Sequence, residues 1–312
     1  MDDALRWTNA WLVARHAAWL TGDCEGVCRF SDADEKGPAV VEILRWRALC
    51  DRRRARAKKV ICDGIVRSAA AQGGGRVRVE LDEHLRLLCE LGEETQHEQR
   101  CIRHVLVWEA APGEPVLAAH AQETESAVSP AGRDGAAPVG DTASGPTARG
   151  GGYDRIRAFQ YAERWWNDHN PQFQNMGVDC TNFVSQVLYA GGFPMQAGGR
   201  GSGWWYRSGR RPEWSYSWAV ADALARHLQA GRAPFRAEIL NRPEDLTIGD
   251  VICYDWRGAG QYGHNTVVTG RDANGRPLVN AHTVNSHQRY YSYEDSYAWT
   301  AGTRYLFIHF PV

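Results

Sequence analysis

One cysteine occurs in a sequence context that could make it a nucleophile. The stretch 177–192 reads GVDCTNFVSQVLYAGG, with apolar residues at helical spacing and a Gly191-Gly192 stop signal. Asp179 suits the N-cap, so Cys180 is predicted to lie in the first turn of a buried helix. The partial positive charge and free N–H groups of a helix start lower a thiol pKa and can hold an oxyanion. The alternative is a small buried cysteine that packs as an apolar side chain does.

A cysteine nucleophile also needs a base, and two histidines follow it in the same half of the chain. His264 precedes a predicted strand, 265–269, and follows a Gly-rich loop, a position from which a base can project into a cleft. On the next predicted strand, 277–283, Asn280 and His282 are two residues apart and therefore face the same way. Either could orient His264 by accepting its ring N–H, which is the third role in a catalytic triad. His264 and His282 have no evident third ligand, so no metal is expected.

The remaining cysteines are interpreted as structural. None of the eight forms a CxxC pair, and Cys253 lies in the middle of a predicted strand. His97, Cys101 and His104 would share a face only on a helix, whereas Cys101 is predicted to begin a strand. Without paired ligands, these residues favour packing over metal binding.

The elements that must position these residues lie on one side of a low-complexity stretch. Residues 121–152 are rich in Ala, Gly, Pro, Ser and Thr and contain no aromatic residue, which predicts a flexible linker. Helical patterns followed by alternating strand patterns predict a small α+β domain at 1–120. In 153–312, helices precede strands joined by tight turns, which predicts a second α+β domain with an antiparallel sheet.

Composition and charge narrow the functional classes. The 312 residues are 43% hydrophobic and carry a formal net charge of −1, so no global field points to nucleic acid or an anionic membrane. No apolar stretch is long enough for a membrane span. The first residues are acidic and lack a secretory pattern, so a cytoplasm-like compartment with reduced thiols is expected. The oligomeric state is not indicated.

Several short segments resemble one protein family in their order along the chain. They are Asp179–Gln186, Trp204-Trp205-Tyr206, Ser217-Trp218, Gly249-Asp250-Val251, Gly263-His264 and His282-Thr283. Together they resemble the "putative amidase domain" found widely in Gram-positive bacteria. That family is similar to the papain-like NlpC-type and CHAP peptidoglycan hydrolases. The resemblance covers about residues 153–312 and implies nothing about the N-terminal domain.

The resemblance implies a papain-like fold, with a helix followed by an antiparallel sheet, and a role for each matching residue. Cys180 would be the nucleophile, His264 the general base and His282 the orienting residue, with Asn280 as the alternative. The reaction would be hydrolysis of an amide bond by thiol acyl transfer, without a cofactor. The expected partner is a peptide or a peptidoglycan-like substrate, by analogy with the family.

Other side chains are candidates for the oxyanion hole and the substrate cleft. Gln174 lies six residues before Cys180, a spacing similar to that of the papain oxyanion glutamine, and Asn175 is its neighbour. Three tryptophans are candidates to line the cleft: Trp204, Trp205 and Trp218. The alternative for the tryptophans is packing of a helix, 217–228, against the sheet.

Two departures from the family and two alternative functions remain open. Relatives often carry an export signal, whereas none is predicted from the acidic first residues of this sequence. In addition, Asn265 follows His264 at a position where many relatives have a smaller residue. A cytoplasmic enzyme could reach the cell wall only after lysis or by a non-classical export route. The domain could instead be an inactive papain-like module that binds wall peptide or a partner protein. A transamidase would use the same nucleophile, because water and amines are both acceptors for a thioester.

Overall fold

The computed structural model describes residues 1–31, 37–110, 115–125, 152–231 and 235–311. These residues form a mixed α+β architecture of helices and antiparallel sheets. The chain separates into two units, the first built from Met1–Glu125 and Val284–Trp299, the second from Ser126–Thr283 and Thr300–Val312. The predicted boundaries, in contrast, are contiguous and place 284–299 in the second domain. Most of the predicted linker lies outside the described residues.

The helices and strands are as follows. The helices are α1 (Asp2–Thr21), α2 (Glu25–Cys28), α3 (Pro38–Arg53), α4 (Arg155–Trp165), α5 (Cys180–Ala190), α6 (Tyr216–Ala219) and α7 (Ala221–Gln229), with 3-10 turns at Gly73–Gly75 and Pro243–Asp245. The strands are β1 (Arg56–Ala71), β2 (Arg76–Leu91), β3 (Glu94–Ala110), β4 (Pro115–Gln122), β5 (Tyr206–Arg207), β6 (Glu213–Trp214), β7 (Glu238–Leu240), β8 (Val251–Asp255), β9 (His264–Arg271), β10 (Pro277–Ala281), β11 (Asn285–Tyr290) and β12 (Arg304–His309). Among the described residues, every helix is too short or too polar to serve as a membrane span.

The first unit is built on a long antiparallel hairpin. β1 pairs with β2, β2 pairs with β3, and both β4 and β11 pair with β3. The helical sequence pattern of 38–59 predicts a longer helix than α3, which ends at Arg53 because Arg54 adopts a left-handed conformation with φ 57°. Residues from Arg56 onward then pair with β2. The sequence signal for a helix is thus overridden by long-range strand pairing.

Buried charges hold the helices of the first unit to its sheet. The Nε atom of Arg15 donates to both carboxylate oxygens of Glu83, at 3.0 and 2.9 Å. His104 lies 3.1 Å from the same carboxylate, and Glu42 accepts from Arg100 at 2.8 Å. All of these side chains are buried, so each charge depends on its partner. Tryptophans fill the surrounding core: Trp11, Trp19, Trp46 and Trp108.

The second unit packs helices on one face of an antiparallel sheet. The strand order is β10-β9-β8-β12-β7. The predicted hairpin between β9 and β10 is confirmed, with Gly275 at φ 75° in the turn. Helix α5 lies against β9, and its first nine residues are buried. The predicted helix 217–228 is interrupted at Val220, whose extended backbone separates α6 from α7.

The start of α5 is the feature that positions the candidate nucleophile. As predicted, Asp179 is the N-cap and Cys180 is the first helical residue. The helix ends at Ala190, followed by Gly191 and by Gly192 at φ 100°. The carboxylate of Asp179 makes no capping hydrogen bond to the helix, so it remains available to other partners.

Candidate active site

Three hydrogen-bond donors converge on the sulfur of Cys180. They are the backbone N–H of Asn265 and the hydroxyls of Thr181 and Thr283. The Thr181 Oγ1 lies 3.6 Å from the sulfur. Strand β9 supplies Asn265, the turn after β10 supplies Thr283, and α5 supplies Thr181. The sulfur therefore lies where three separate elements meet.

The acceptor side of each hydroxyl is occupied by an amide, which leaves its hydrogen for the sulfur. The side-chain Nδ2 of Asn265 donates to Thr181 Oγ1 at 3.1 Å. The backbone N–H of Asp179 donates to Thr283 Oγ1 at 3.2 Å. A hydroxyl has one hydrogen to give, and both hydroxyls face Cys180. The surroundings of the sulfur are therefore suited to negative charge.

Burial nevertheless has the largest effect on the pKa of the Cys180 thiol. Cys180 is 3% exposed, and this burial raises its pKa, while the three donors only partly oppose the rise. The predicted lowering by the helix start is thus outweighed by loss of solvent. Burial also raises the pKa of Cys253, on β8, and no donor to its sulfur opposes that rise. The two buried cysteines differ in the polar groups around the sulfur.

An aspartate–histidine pair adjoins the nucleophile position. The Nδ1 of His282 lies 2.7 Å from the Oδ2 of Asp179, the residue immediately before Cys180. The Nε2 of His282 lies 2.6 Å from the backbone carbonyl of Trp165, and its ring stacks on Phe183 at 4.1 Å between centroids. Both ring nitrogens therefore face acceptors, which fixes the ring between two partners.

A second histidine approaches the same carboxylate. The Nδ1 of His169 lies 3.6 Å from Asp179 Oδ2, and the His169 and His282 rings meet edge to face at 5.3 Å. The other carboxylate oxygen accepts from Asn182 Nδ2 at 2.8 Å and from the Met176 N–H at 3.2 Å. Burial disfavours the charged form, but hydrogen bonds from His169 and His282 outweigh it and lower the Asp179 pKa. This carboxylate is thus held ionised.

His264 begins β9 and is fully buried. His264 pairs with Tyr254, and the next residue, Asn265, pairs with Cys253. The Asn265 side chain points to Thr181 on α5, so the alternation of a strand turns His264 the other way. Its ring packs against Tyr254 and Trp256, at 5.5 and 5.9 Å between centroids. The predicted pairing of His264 with Cys180 stays a prediction, and His282, the predicted orienting residue, contacts Asp179.

The other predicted polar residues have different partners. Asn280 accepts from Thr269 at 2.8 Å and donates to Glu163 of α4 at 2.9 Å, so it braces α4 on the sheet. The Gln174 side chain donates to the carbonyl of Asn175 at 3.0 Å, and both residues are exposed. The backbone of Gln174, in contrast, accepts from Asn182. Within the described residues, Gln174 braces the segment before α5 through its backbone.

The predicted cleft tryptophans lie in the protein interior. Trp204 and Trp218 have no exposed surface, and their rings meet at 4.8 Å. The Trp204 indole donates to Ser185 and the Trp218 indole to Asn182, at 3.0 and 2.8 Å. Trp205 is 5% exposed and donates to two loop carbonyls. Packing, the alternative reading, describes these contacts better than substrate binding does.

A groove lies beside α4, and its lining residues include none of Cys180, Asp179 and His282. Its volume is about 530 Å³. Arg157, Arg164 and Trp165 line it from α4, and Asn170 lines it from the following turn. Trp165 connects it to the pair, because the carbonyl of this residue contacts His282. The two arginines make this groove suitable for an anionic ligand.

The backbone of Thr283 is strained. Its φ is 82°, a conformation that a β-branched residue rarely adopts. Strain of this kind costs about 1–3 kcal/mol and occurs preferentially at functional sites. Here it places the hydroxyl between the Asp179 N–H and the Cys180 sulfur. The strained residue thus belongs to the group that surrounds the thiol.

Comparison with known families agrees with a hydrolytic role for this unit. Residues 152–308 match the family described as "Putative amidase domain". The chain belongs to this family. Membership supports an amidase-like hydrolase as the general class of enzyme. The match includes Cys180 and His282 and excludes the helices of the first unit.

Two Bacillus subtilis (strain 168) proteins, both named as uncharacterized, are similar to the chain. YhbB is 49% identical over 158 residues, which are 50% of this chain and 50% of YhbB. YjcM is 29% identical over 143 residues, which are 43% of this chain and 32% of YjcM. The matches thus span half or less of each relative's length. No solved structure matches the chain significantly.

The sequence predicts roles for Cys180 and His282, but it does not indicate His169 or the Asp179 carboxylate as their neighbours. Asp179 was assigned only a capping role, which its side chain does not perform. His169 lies in a loop between α4 and α5, and no periodicity signals its approach to β10. The only local hint is the DC dipeptide, which places a carboxylate directly beside the candidate nucleophile.

Proposed function

We propose that the second unit hydrolyses amide bonds with Cys180 as the nucleophile, on a papain-like plan and on peptides such as those of peptidoglycan. The convergence of three donors on the sulfur carries this proposal. A thiolate and the oxyanion that follows it are both stabilised by such donors. A cysteine that only packs needs none of them, as Cys253 illustrates.

His282 is the proposed proton acceptor, with Asp179 as its orienting carboxylate. The pair has the carboxylate–imidazole contact of a triad, and Asp179 precedes the nucleophile directly. This assignment differs from the predicted one, in which His264 is the base and His282 orients it. His264 is the second candidate base, and its contacts with Tyr254 and Trp256 make it the less favoured one.

The proposed reaction begins from the His282 tautomer that carries its only ring proton on Nδ1, toward Asp179. In this form Nε2 has turned away from the Trp165 carbonyl, and its lone pair accepts the thiol proton. The sulfur then bonds to the amide carbon, and N–H groups in the first turn of α5 hold the oxyanion. As the C–N bond breaks, His282 returns the proton to the leaving amine, and a thioester remains on Cys180. Water loses a proton to His282, attacks the thioester and releases a carboxylic acid with the thiol restored.

The groove beside α4 supports a substrate that carries carboxylates. Arg157 and Arg164 provide two cations there, and Trp165 provides a flat apolar surface. Stem peptides of peptidoglycan combine amide bonds with free carboxylates. This chemistry and the resemblance to wall hydrolases favour stem peptides over neutral amides.

The test compares two buried cysteines in the same unit. Cys180→Ala and Cys253→Ala each remove one buried sulfur, so the loss of packing is similar. Wild-type chain and both variants are incubated with purified peptidoglycan, and released amines are identified by mass spectrometry. We expect Cys253→Ala to retain cleavage and Cys180→Ala to lose at least a thousandfold. Cleavage by folded Cys180→Ala would overturn the cysteine mechanism.

A second comparison assigns the base. His282→Ala and His264→Ala are assayed on the same substrate, and rapid acid quenching traps the thioester on Cys180 for mass spectrometry. We expect His282→Ala to abolish thioester formation and His264→Ala to retain it once stability is matched by lowering the temperature. The reverse pattern would assign proton transfer to His264 instead.

A further inference from the structure

Three potential metal ligands converge at the start of α5. One ring nitrogen each of His169 and His282 and a carboxylate oxygen of Asp179 all lie within 4.8 Å of one another. The separations from Asp179 Oδ2 are 2.7 Å to His282 and 3.6 Å to His169. Tetrahedral zinc with bonds of 2.0–2.2 Å requires ligand atoms about 3.3 Å apart. The two separations from Asp179 thus differ from that spacing by about 0.6 Å and about 0.3 Å.

The surroundings orient these atoms as those of a metal site do. If Nε2 of His282 carries the ring proton and donates it to the Trp165 carbonyl, then Nδ1 has a lone pair, which faces the Asp179 carboxylate. Two acceptors at 2.7 Å require a cation between them, either a proton or a metal ion. A backbone carbonyl on the far nitrogen of a histidine ligand is a common second contact in metal sites. Asn182 fixes the other oxygen of Asp179.

The site is also accessible from solvent. The side chain of His169 is 37% exposed, whereas those of Asp179 and His282 are almost fully buried. An ion can thus enter on the His169 side, where water can complete the coordination. Two imidazoles and one carboxylate form a borderline donor set that suits zinc better than calcium or magnesium.

We infer that His169, Asp179 and His282 form a binding site for a divalent transition metal of the zinc type, and that its occupancy inhibits amide hydrolysis. The second half of this inference rests on the proposed function. A metal ion on Nδ1 leaves the remaining ring proton on Nε2. The ring then has no lone pair to accept the proton of Cys180.

Binding is tested without reference to activity. The full chain is titrated with Co²⁺ and followed by visible absorption, and Zn²⁺ is then added to displace the cobalt. The matched control is His309, which lies 2.8 Å from Asp250 in a second histidine–carboxylate pair of the same unit. We expect saturable binding of one equivalent, a loss of tenfold or more in affinity for His169→Ala, and wild-type affinity for His309→Ala. Absence of saturable binding, or equal affinity in His169→Ala and wild type, would overturn the site.

The same spectra show whether the Cys180 thiolate is one of the cobalt ligands. A thiolate ligand gives an intense near-ultraviolet cobalt band, which we do not expect. Cys180→Ala should therefore bind cobalt with wild-type affinity. A thiolate band that disappears in Cys180→Ala would replace the proposed ligand set with one that contains the nucleophile.

Inhibition is tested separately on the cleavage of peptidoglycan. Each protein is compared with its own metal-free rate, at Zn²⁺ concentrations set by the binding titration. We expect wild type to lose at least tenfold in rate and to recover with EDTA, and His169→Ala to require at least tenfold more zinc. Binding with unchanged or increased rate would overturn the inhibitory role while leaving the site. If no cleavage occurs at all, the proposed function fails, and the cobalt titration still decides the site.

Discussion

Replacing Asp179 with asparagine should stop catalysis while leaving the fold intact. The carboxylate accepts from Asn182, from the Met176 N–H and from His282. An asparagine can keep its oxygen on the first two donors and turn its NH₂ toward His282 Nδ1. That nitrogen then accepts, and the ring proton must lie on Nε2, where it donates to the Trp165 carbonyl. The hydrogen bonds with Asn182, Met176 and His282 are kept and the longer contact with His169 is lost, but His282 is fixed in the tautomer that cannot take a proton.

The expected magnitudes for stability and rate differ widely. One charge-assisted hydrogen bond becomes a neutral one, so the free energy of unfolding should fall by only about 1–2 kcal/mol. A triad held in the wrong tautomer loses about 10⁴-fold in rate, which corresponds to about 5.5 kcal/mol in the activation free energy. The structure therefore predicts a stable, inactive variant.

The assay pairs urea unfolding with the rate of peptidoglycan cleavage, and Asp250→Asn is the matched control. Asp250 also contacts a histidine, His309, and the other hydrogen-bond partners of its carboxylate, Arg155, Thr247 and Phe310, do not include Cys180. We expect Asp250→Asn to retain activity wherever it remains folded. A cleavage rate for Asp179→Asn within tenfold of wild type would refute the role of His282 as the base.

Changes elsewhere have equally specific expected outcomes. Glu83→Gln leaves Arg15 without its main buried partner, so urea unfolding should show a loss of about 3–5 kcal/mol; equal stability would contradict this. Although burial opposes its ionisation, Arg15 and His104 lower the Glu83 pKa, so the unfolded chain binds the proton first. The advantage of wild type over Glu83→Gln should therefore shrink as the pH falls below about 4. Trp218→Ala should cost about 3–5 kcal/mol of stability without a specific rise in KM, and a KM effect alone would place Trp218 at the substrate. Thr283→Gly should relieve backbone strain yet slow thioester formation, and an unchanged rate would show that the hydroxyl is dispensable.

Local rules predicted the helix position of Cys180, the candidate nucleophile, well. The start of α5 at Cys180 and its end before Gly191 depend on neighbouring residues, which the sequence displays directly. The face of the sheet on which the His264 side chain lies depends instead on strand register. A shift of one residue turns every side chain of a strand to the other face, and the pairing of His264 with Tyr254 is a long-range property.

Contacts between distant segments account for most of what the sequence could not reveal. The approach of His169 to Asp179 depends on the path of the loop before α5. The assignment of 284–299 to the first unit depends on contacts such as that of Asp295 with Arg100, across most of the chain. The hydrophobic pattern of either segment contains no information about such partners. Which two distant charged residues form an ion pair cannot be predicted from the sequence without the fold.

The start of α5 carries interactions that a purely structural helix would not retain. Thr283 holds a strained backbone beside it, and Asp179 and His282 are charged or polar groups that are almost fully buried. Replacing a buried ion pair with well-packed apolar residues is often neutral or stabilising, so stability alone does not favour such a pair. The interior tryptophans differ, because their packing and hydrogen bonds stabilise the unit directly. The strained backbone of Thr283 and the burial of Asp179 and His282 are both unfavourable for stability, and both occur beside Cys180. We therefore propose that the chemistry takes place there rather than in the aromatic core.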